Sequence, residues 1–290
     1  MRTIVHLSDL HFGRIDEALL EPVIATVAEI KPDVVVVSGD LTQRARSQQF
    51  KEARAFLDKL PSPQIIVPGN HDVPLHNVFA RFVQPLDKYK EFITDDLEPF
   101  HADEEIAILG INTARSMTIK DGRVNEAQIA AIRERLCPFP DQTVKIIVTH
   151  HPFDLPEGHH ERDLVDRAQK AMEAIAKCGA DVLLAGHLHV SHTAHSSARY
   201  KIAGHNALVV SAGTATSTRG RGETNSFNVL RVKHPFINVE RLSWQPERTA
   251  FITSSSEHFR HSPDGWTRVP DEMAADIVYR DENEAPPGSP

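Results

Sequence analysis

Two stacked sheets with helices on their outer faces, an α/β sandwich, is the fold that this chain of 290 residues predicts. Short β-branched and aliphatic runs recur along the first two thirds, and stretches with helical apolar spacing lie between them. From about residue 200 only short strand-like segments follow. Thr3-Ile4-Val5 is the first strand, and a helix over 16–30 follows it with Leu19, Val23, Val27 and Ile30 on one face. Val34-Val35-Val36-Val37 is the second strand. Residues 47–60 read as a helix with Ser47 as N-cap and Phe50, Ala53, Phe56, Leu57 and Leu60 as its apolar stripe. After the third strand, Ile65-Ile66-Val67, residues 74–100 interrupt the alternation and read as a small helical insertion overhanging the turn that precedes it. Its aromatic residues Phe79, Phe82, Tyr89 and Phe92 recur at intervals of 3, 7 and 3, a helical spacing that favours core packing over base stacking. Helices over 125–136, capped by Asn125, and over 162–178, ended by Gly179, flank the strand Ile146-Ile147-Val148. Val182-Leu183-Leu184 is the next strand, and 207–211, 226–232 and 236–244 are the last ones. The chain is long enough for one large domain, placed at 1–250, with a C-terminal extension over 251–290. The acidic and proline-rich stretch from about 281 has the composition of a disordered tail.

Composition narrows the possible partners. A net charge of −8 leaves no basic face for capture of duplex nucleic acid, which weighs against a nuclease. No apolar run approaches the ~20 residues of a membrane span, and the amino terminus starts in strand residues without a signal-peptide core. Cys137 and Cys178 are isolated, each at the end of an expected helix, so separate thiols, a reducing compartment and a cytoplasmic location are expected.

Five pieces of the chain carry the chemistry: Asp9-Leu10-His11, Gly39-Asp40, Gly69-Asn70-His71-Asp72, His150-His151 and Gly186-His187-Leu188-His189. Each follows a strand, and the carboxyl edge of an open α/β sheet is where ligands bind, so segments far apart in sequence can share one crevice. Any one of them alone is better read as a turn or a solvated histidine. Together they form an imidazole and carboxylate set that suits Zn²⁺, Mn²⁺, Fe²⁺ or Co²⁺ and disfavours an all-oxygen Ca²⁺ site. Two such cations about 3.5–4 Å apart can share one carboxylate and one hydroxide and clamp the oxygens of an in-line displacement at phosphorus. Strand parity aims Asp9 and His11 at one ion, and His187 and His189 likewise if their turn stays extended, with Leu10 and Leu188 pointing away.

The order D-x-H, G-D, G-N-H-D, a lone His and G-H-x-H resembles the calcineurin-like metallophosphoesterase superfamily, over roughly the first 215 residues. Chain length further resembles the compact bacterial class III cyclic-nucleotide and glycerophosphodiester phosphodiesterases. The resemblance implies two metal ions, divalent or trivalent, from among Fe, Mn, Zn and Co. It assigns Asp9, His11, Asp40 and His189 to one ion, and Asp40, Asn70, His150 and His187 to the other, with Asp40 bridging. His71 becomes the catalytic histidine outside the coordination shell. It implies hydrolysis of a small phosphodiester by a metal-bridging hydroxide, with a cyclic nucleotide as leading substrate. A DNA or RNA exonuclease and a non-enzymatic scaffold are the alternatives. The family pattern favours His150 over His151 as ligand, although a turn at the strand end could exchange them.

Other residues have weaker cases. Asp72 is either a partner orienting an imidazole or an Asx turn before Pro74. His6, with parity opposite to Asp9, reads as a buried structural histidine, and His159 and His160 as a solvated loop. Arg219 and Arg221, in a Gly-rich loop, are suited to phosphate recognition but are ordinarily solvated.

Overall fold

Strands that are apolar on both faces must be covered on both sides, and Val34–Ser38 (below, β2) is buried along its whole length. Val34 and Val36 join one core cluster while Val35 and Val37 join another, the period-two split of a strand lying between two layers. The structure, a computed structural model, describes residues 1–75, 78–115, 121–156, 159–202, 205–220 and 222–274. In chain order the strands are β1 (Arg2–Leu7), β2, β3 (Gln64–Val67), β4 (Phe100–Ala102), β5 (Ile106–Gly110), β6 (Val144–Val148), β7 (Val182–Ala185), β8 (His192–His195), β9 (Leu208–Ser211), β10 (Ser226–Lys233), β11 (Phe236–Gln245), β12 (Ala250–Ser262) and β13 (Gly265–Val269). The helices are α1 (Leu20–Ile30), α2 (Ser47–Leu57), α3 (Val78–Val83), α4 (Asp87–Phe92), α5 (Glu126–Leu136), α6 (Ala168–Lys177) and a closing turn, α7 (Asp271–Ala274).

Two sheets result. One has the order β13-β12-β11-β10-β1-β2-β3 and the other β4-β5-β6-β7-β9-β8. Within them β1, β2 and β3 run parallel, as do β5, β6, β7 and β9, so both sheets send strand carboxyl ends to the same kind of edge. Ile4, Val36 and Val67 from the first sheet meet Ile108, Ile146, Val148 and Leu184 from the second in a shared interior. The opposite face of the first sheet packs on α1, α2 and α4 through Val23, Val27, Phe50 and Tyr89, and that of the second on α5 and α6 through Ile129, Ile132, Met172 and Ile175. This is the expected sandwich.

The elements depart from expectation in specific places. Arg46, with extended backbone, is the N-cap of α2, and Ser47 is already helical. Asn125 does cap α5: its side chain accepts from Gln128 N at 2.8 Å while Gln128 Oε1 accepts from Asn125 N at 3.0 Å. The expected helix over 162–178 begins only at Ala168, because Arg167 is left-handed at φ 65° and a short 3₁₀ turn precedes it. Residue 250, the expected domain end, is the first residue of β12, and β12 and β13 extend the same seven-stranded sheet. Within 74–100, α4 packs on α2: Tyr89 is buried, donates to Ile66 O at 3.0 Å, and Phe92 stacks on Phe50. Phe82, by contrast, is 52 % exposed. The expected tail from 281 lies outside the described residues.

The cysteine expectation is overturned. Cys137 and Cys178 form a disulfide. Each is the C-cap of its helix, and α5 and α6 share one core cluster, so two thiols 41 residues apart in sequence end side by side. The argument from isolated thiols to a reducing compartment falls with it. Among the described residues no helix is long and apolar enough to cross a membrane.

Candidate metal centre

Asp9 and His11 lie past the end of β1, and their backbones are left-handed at φ 52° and 53°. Asp40 (φ 52°), His187 (φ 73°) and His189 (φ 57°) share that conformation. Strand parity therefore does not aim these side chains, contrary to expectation. A non-glycine residue in this region costs about 1–3 kcal/mol and persists only where its surroundings hold it. Here Asp9 N donates to Gly39 O at 3.1 Å, His11 N to Asp40 O at 2.9 Å, and Thr214 Oγ1 to Asp9 O at 2.7 Å. Leu10 and Leu188, between the paired residues, are buried. Close approach also dictates glycine: a Cβ on Gly39, itself at φ +89°, would stand 2.7 Å from His150 Nδ1.

The side chains gather in two adjoining groups. In the first, His189 Nε2 lies 3.2 Å and His11 Nε2 3.5 Å from Asp9 Oδ1, with 3.1 Å between the two imidazoles. In the second, Asn70 Oδ1 is 3.1 Å from His150 Nε2 and 3.0 Å from His187 Nδ1. Asp40 spans the two, with Oδ2 3.7 Å from His11 Nε2 and Oδ1 3.4 Å from His150 Nε2. His187 and His189 thus part company. His150 Nδ1 donates to Ser38 O at 2.8 Å, which leaves Nε2 to face the group. His151 is also close, with a ring nitrogen within 4.8 Å of those of His150 and His187, and its Nδ1 is bonded to Thr113 Oγ1 at 2.9 Å. His150 is the one that faces Asn70 and Asp40.

The residues fit a metal. Asp9 Oδ1 is buried, has no hydrogen-bond partner, and is surrounded by imidazole nitrogens, while Oδ2 is already taken by Ser8 Oγ at 2.6 Å and His187 N at 3.0 Å. A buried lone pair of this kind is costly without a cation. Burial opposes ionisation of Asp9, yet His189 and His11 hold it well below the usual carboxylate range. Asp40 is likewise held low against burial, chiefly by His150. Burial opposes protonation of His150 too, but Asp40 overrides it and lifts the imidazole to about 9. Burial, then the charge of His150, drives His187 down to about 3, and burial lowers His11, so both are neutral lone-pair donors at pH 7.

His71 stands beside these groups with its ring bonds directed elsewhere. Its backbone N donates to Asp40 Oδ1 at 2.8 Å, its Nδ1 donates to Gln43 O at 2.9 Å, and its Nε2 accepts from Arg219 Nη1 at 3.0 Å. Asp72 orients backbone, not an imidazole: its carboxylate accepts from the N–H groups of Leu41, Thr42 and Gly69 and from Thr42 Oγ1, tying the Asp40 loop to the Asn70 turn. Burial, reinforced by Asp40, pushes Asp72 up to about 7. His6 is buried against Ser38 Oγ at 2.8 Å, as a structural histidine would be, and burial lowers it to about 3. His159 is partly buried and His160 exposed. Arg221 lies outside the described residues. Sequence reading did not single out Ser8, Ser38 or Gln43; Ser8, directly before Asp9, had adjacency as its only signal.

Comparison with known proteins matches residues 2–191 to the calcineurin-like phosphoesterase family. A probable glycerophosphodiester phosphodiesterase, GpdQ, of Arcobacter nitrofigilis is 26 % identical over 162 residues, 55 % of this chain and 57 % of that protein. The matched stretch is thus under two thirds of that relative's length. A probable cyclic nucleotide phosphodiesterase of Rhodopseudomonas palustris is 27 % identical over 197 residues, 64 % of this chain and 70 % of that one. Among solved structures, the purple acid phosphatase PPD1 of yellow lupin superposes with a TM-score of 0.67 at 13 % identity, over 89 % of this chain and 53 % of that one, a likeness of fold.

Proposed function

This chain belongs to the calcineurin-like phosphoesterase family, and on that premise we propose that it hydrolyses the phosphodiester bond of a small molecule with two metal ions, a cyclic nucleotide being the first candidate. The observation that carries the reading is the Asp40 carboxylate, whose two oxygens face two different groups of donors. In this reading Asp9, His11, Asp40 and His189 hold one ion, and Asp40, Asn70, His150 and His187 the other. Such a pair, when bound, lowers the pKa of water towards neutrality and offsets charge on a phosphoryl group. The donor set suits Fe, Mn, Zn or Co. His71 is the proton-handling residue: its ring is held by Gln43 and Arg219 and not by the donor groups, and Nε2 is the atom at which a proton would pass to a leaving alkoxide.

The small-diester assignment draws on the names of the two relatives and on the net charge of −8. Its test is a panel in Mn²⁺ of bis(p-nitrophenyl) phosphate, p-nitrophenyl phosphate, cyclic AMP, a glycerophosphodiester and an oligonucleotide. Hydrolysis of the first and of at least one natural small diester is expected, nearly unchanged when salt rises from about 50 to about 200 mM. A protein neutralising roughly 6–10 nucleic-acid phosphates would lose about 10³–10⁵ in affinity over that range, so salt-sensitive, preferential cleavage of the oligonucleotide would replace this reading with a nuclease.

A further inference from the structure

The contact between Arg219 and His71 joins residues 148 apart in sequence, and it sets two good groups against one another. Arginine has donors only, so His71 Nε2 must offer its lone pair, and the ring proton sits on Nδ1, facing Gln43 O at 2.9 Å. While this bond stands, Nε2 has no position open for a leaving-group oxygen. The guanidinium fork is matched in shape and charge to two oxygens of a phosphate, a better acceptor for it than an imidazole lone pair.

The backbone beneath Arg219 is well held. Thr218 N donates to Arg14 O at 3.1 Å, Arg219 N to Ser217 Oγ at 3.1 Å, and Asn225 Nδ2 to Ser217 O at 2.9 Å. Arg219 O in turn accepts from His189 Nδ1 at 3.2 Å, which seats the residue directly against the first donor group. An arginine on a fixed base, at the edge of a site for an anionic diester, can turn its guanidinium from His71 towards a bound anion by side-chain rotation.

We infer that the Arg219 guanidinium is a clamp for the substrate's non-bridging phosphate oxygens, resting on His71 Nε2 until a phosphodiester draws it away. Substrate binding and the freeing of His71 are then one event: the anion takes the guanidinium, and Nε2, no longer held as an acceptor, can take up a proton from solvent and pass it to the leaving oxygen. The inference rests on the two-metal reading above and adds to it which residue recognises the phosphate.

The test compares wild type with Arg219→Ala and Arg219→Lys, all loaded with Mn²⁺. It measures metal content, calorimetric affinity for inorganic phosphate, and KM and kcat for bis(p-nitrophenyl) phosphate, with circular dichroism as the check on folding. We expect two ions per chain in all three proteins. Arg219→Ala should lose about 10- to 100-fold in phosphate affinity and in KM, the cost of one charge-assisted hydrogen bond pair, with a smaller change in kcat. Arg219→Lys, a point charge without the fork, should fall between. Millimolar methylguanidine should restore part of the phosphate affinity of Arg219→Ala alone. Unchanged phosphate affinity and KM with a reduced kcat would overturn the inference, since Arg219 would then merely prop His71. Loss of metal in Arg219→Ala would overturn it too, showing that the residue acts through His189. Failure of the two-metal reading shows separately, in the wild type, as fewer than two ions and no diester hydrolysis.

Discussion

The two ends of β6 and β7 are built by opposite rules. At the carboxyl ends, His150, His187 and His189 meet Asp9, Asp40 and Asn70 through loops that include five left-handed non-glycine residues, and Asp9 Oδ1 is buried without a partner. At the amino ends, Asp181 is also buried, yet each of its oxygens is paired: Oδ2 accepts from Lys145 N at 2.8 Å and Oδ1 from Trp266 Nε1 at 2.8 Å. Neither Asp181, Lys145 nor Trp266 has a left-handed backbone. Three residues before Asp181, Cys178 makes the disulfide to Cys137, so this end is also the stapled one. Around the donor groups, backbone preference and polar pairing are given up where side chains are aimed at a shared point. One end of the strands is organised for chemistry, and the other for holding the two sheets together.

The comparison breaks most readily at His71. His71→Ala should lose on the order of 10²–10⁴ in turnover while keeping both metal ions and its thermal stability, with a smaller loss on substrates with good leaving groups. Metal analysis and steady-state kinetics on bis(p-nitrophenyl) phosphate and a dialkyl phosphate read this out; a collapse in metal content would make His71 a ligand. The stapled end predicts the reverse. Removing both cysteines, with a sequence separation of 41, should cost about 4 kcal/mol of stability by loop entropy and leave kcat/KM of the folded protein unchanged. Urea denaturation under oxidising and reducing conditions measures it.

A finer effect should come from Asp181. Burial lifts its carboxyl to about 6 in the fold, against an ordinary value near ~3.9 in the unfolded chain. A carboxyl raised in this way contributes its stabilisation fully below the unfolded value and loses it as pH rises through about 6. Stability should therefore fall by about 3 kcal/mol of Asp181 contribution between pH ~4 and ~6, and Asp181→Asn should flatten that slope. The sign is opposite to that of the depressed carboxylates Asp9 and Asp40 but the same as that of Asp72, so it is the difference between wild type and Asp181→Asn that isolates the amino end.

Much of the site was legible in the sequence because strand ends are marked by aliphatic runs and because the ligand types are few. The layering followed from Val34 to Val37, buried on both faces. What was not legible depended on backbone conformation or on adjacency in space. The i, i+2 rule for Asp9 and His11 and for His187 and His189 failed because all four are left-handed, a conformation that no local propensity favours and that long-range hydrogen bonds hold at Asp9, His11 and His187. The disulfide was hidden because nothing in sequence says that two helix C-termini share a layer. Strands β12 and β13 were missed because Thr253 to Ser256 are polar and exposed, in the part of β12 that β13 does not pair with, where alternation is weak. Arg219 was read only as a loop arginine suited to phosphate, since its contact to His71 spans 148 residues.

The bridging role of Asp40 is the claim on which the rest depends, and metal content together with turnover tests it most directly. Wild type should bind two ions per chain. Asp40→Ala should lose at least one of them and lose more activity than either His11→Ala or His189→Ala, because each of those removes a donor from one group only. An Asp40→Ala protein that retains two ions and near-normal turnover would contradict the account.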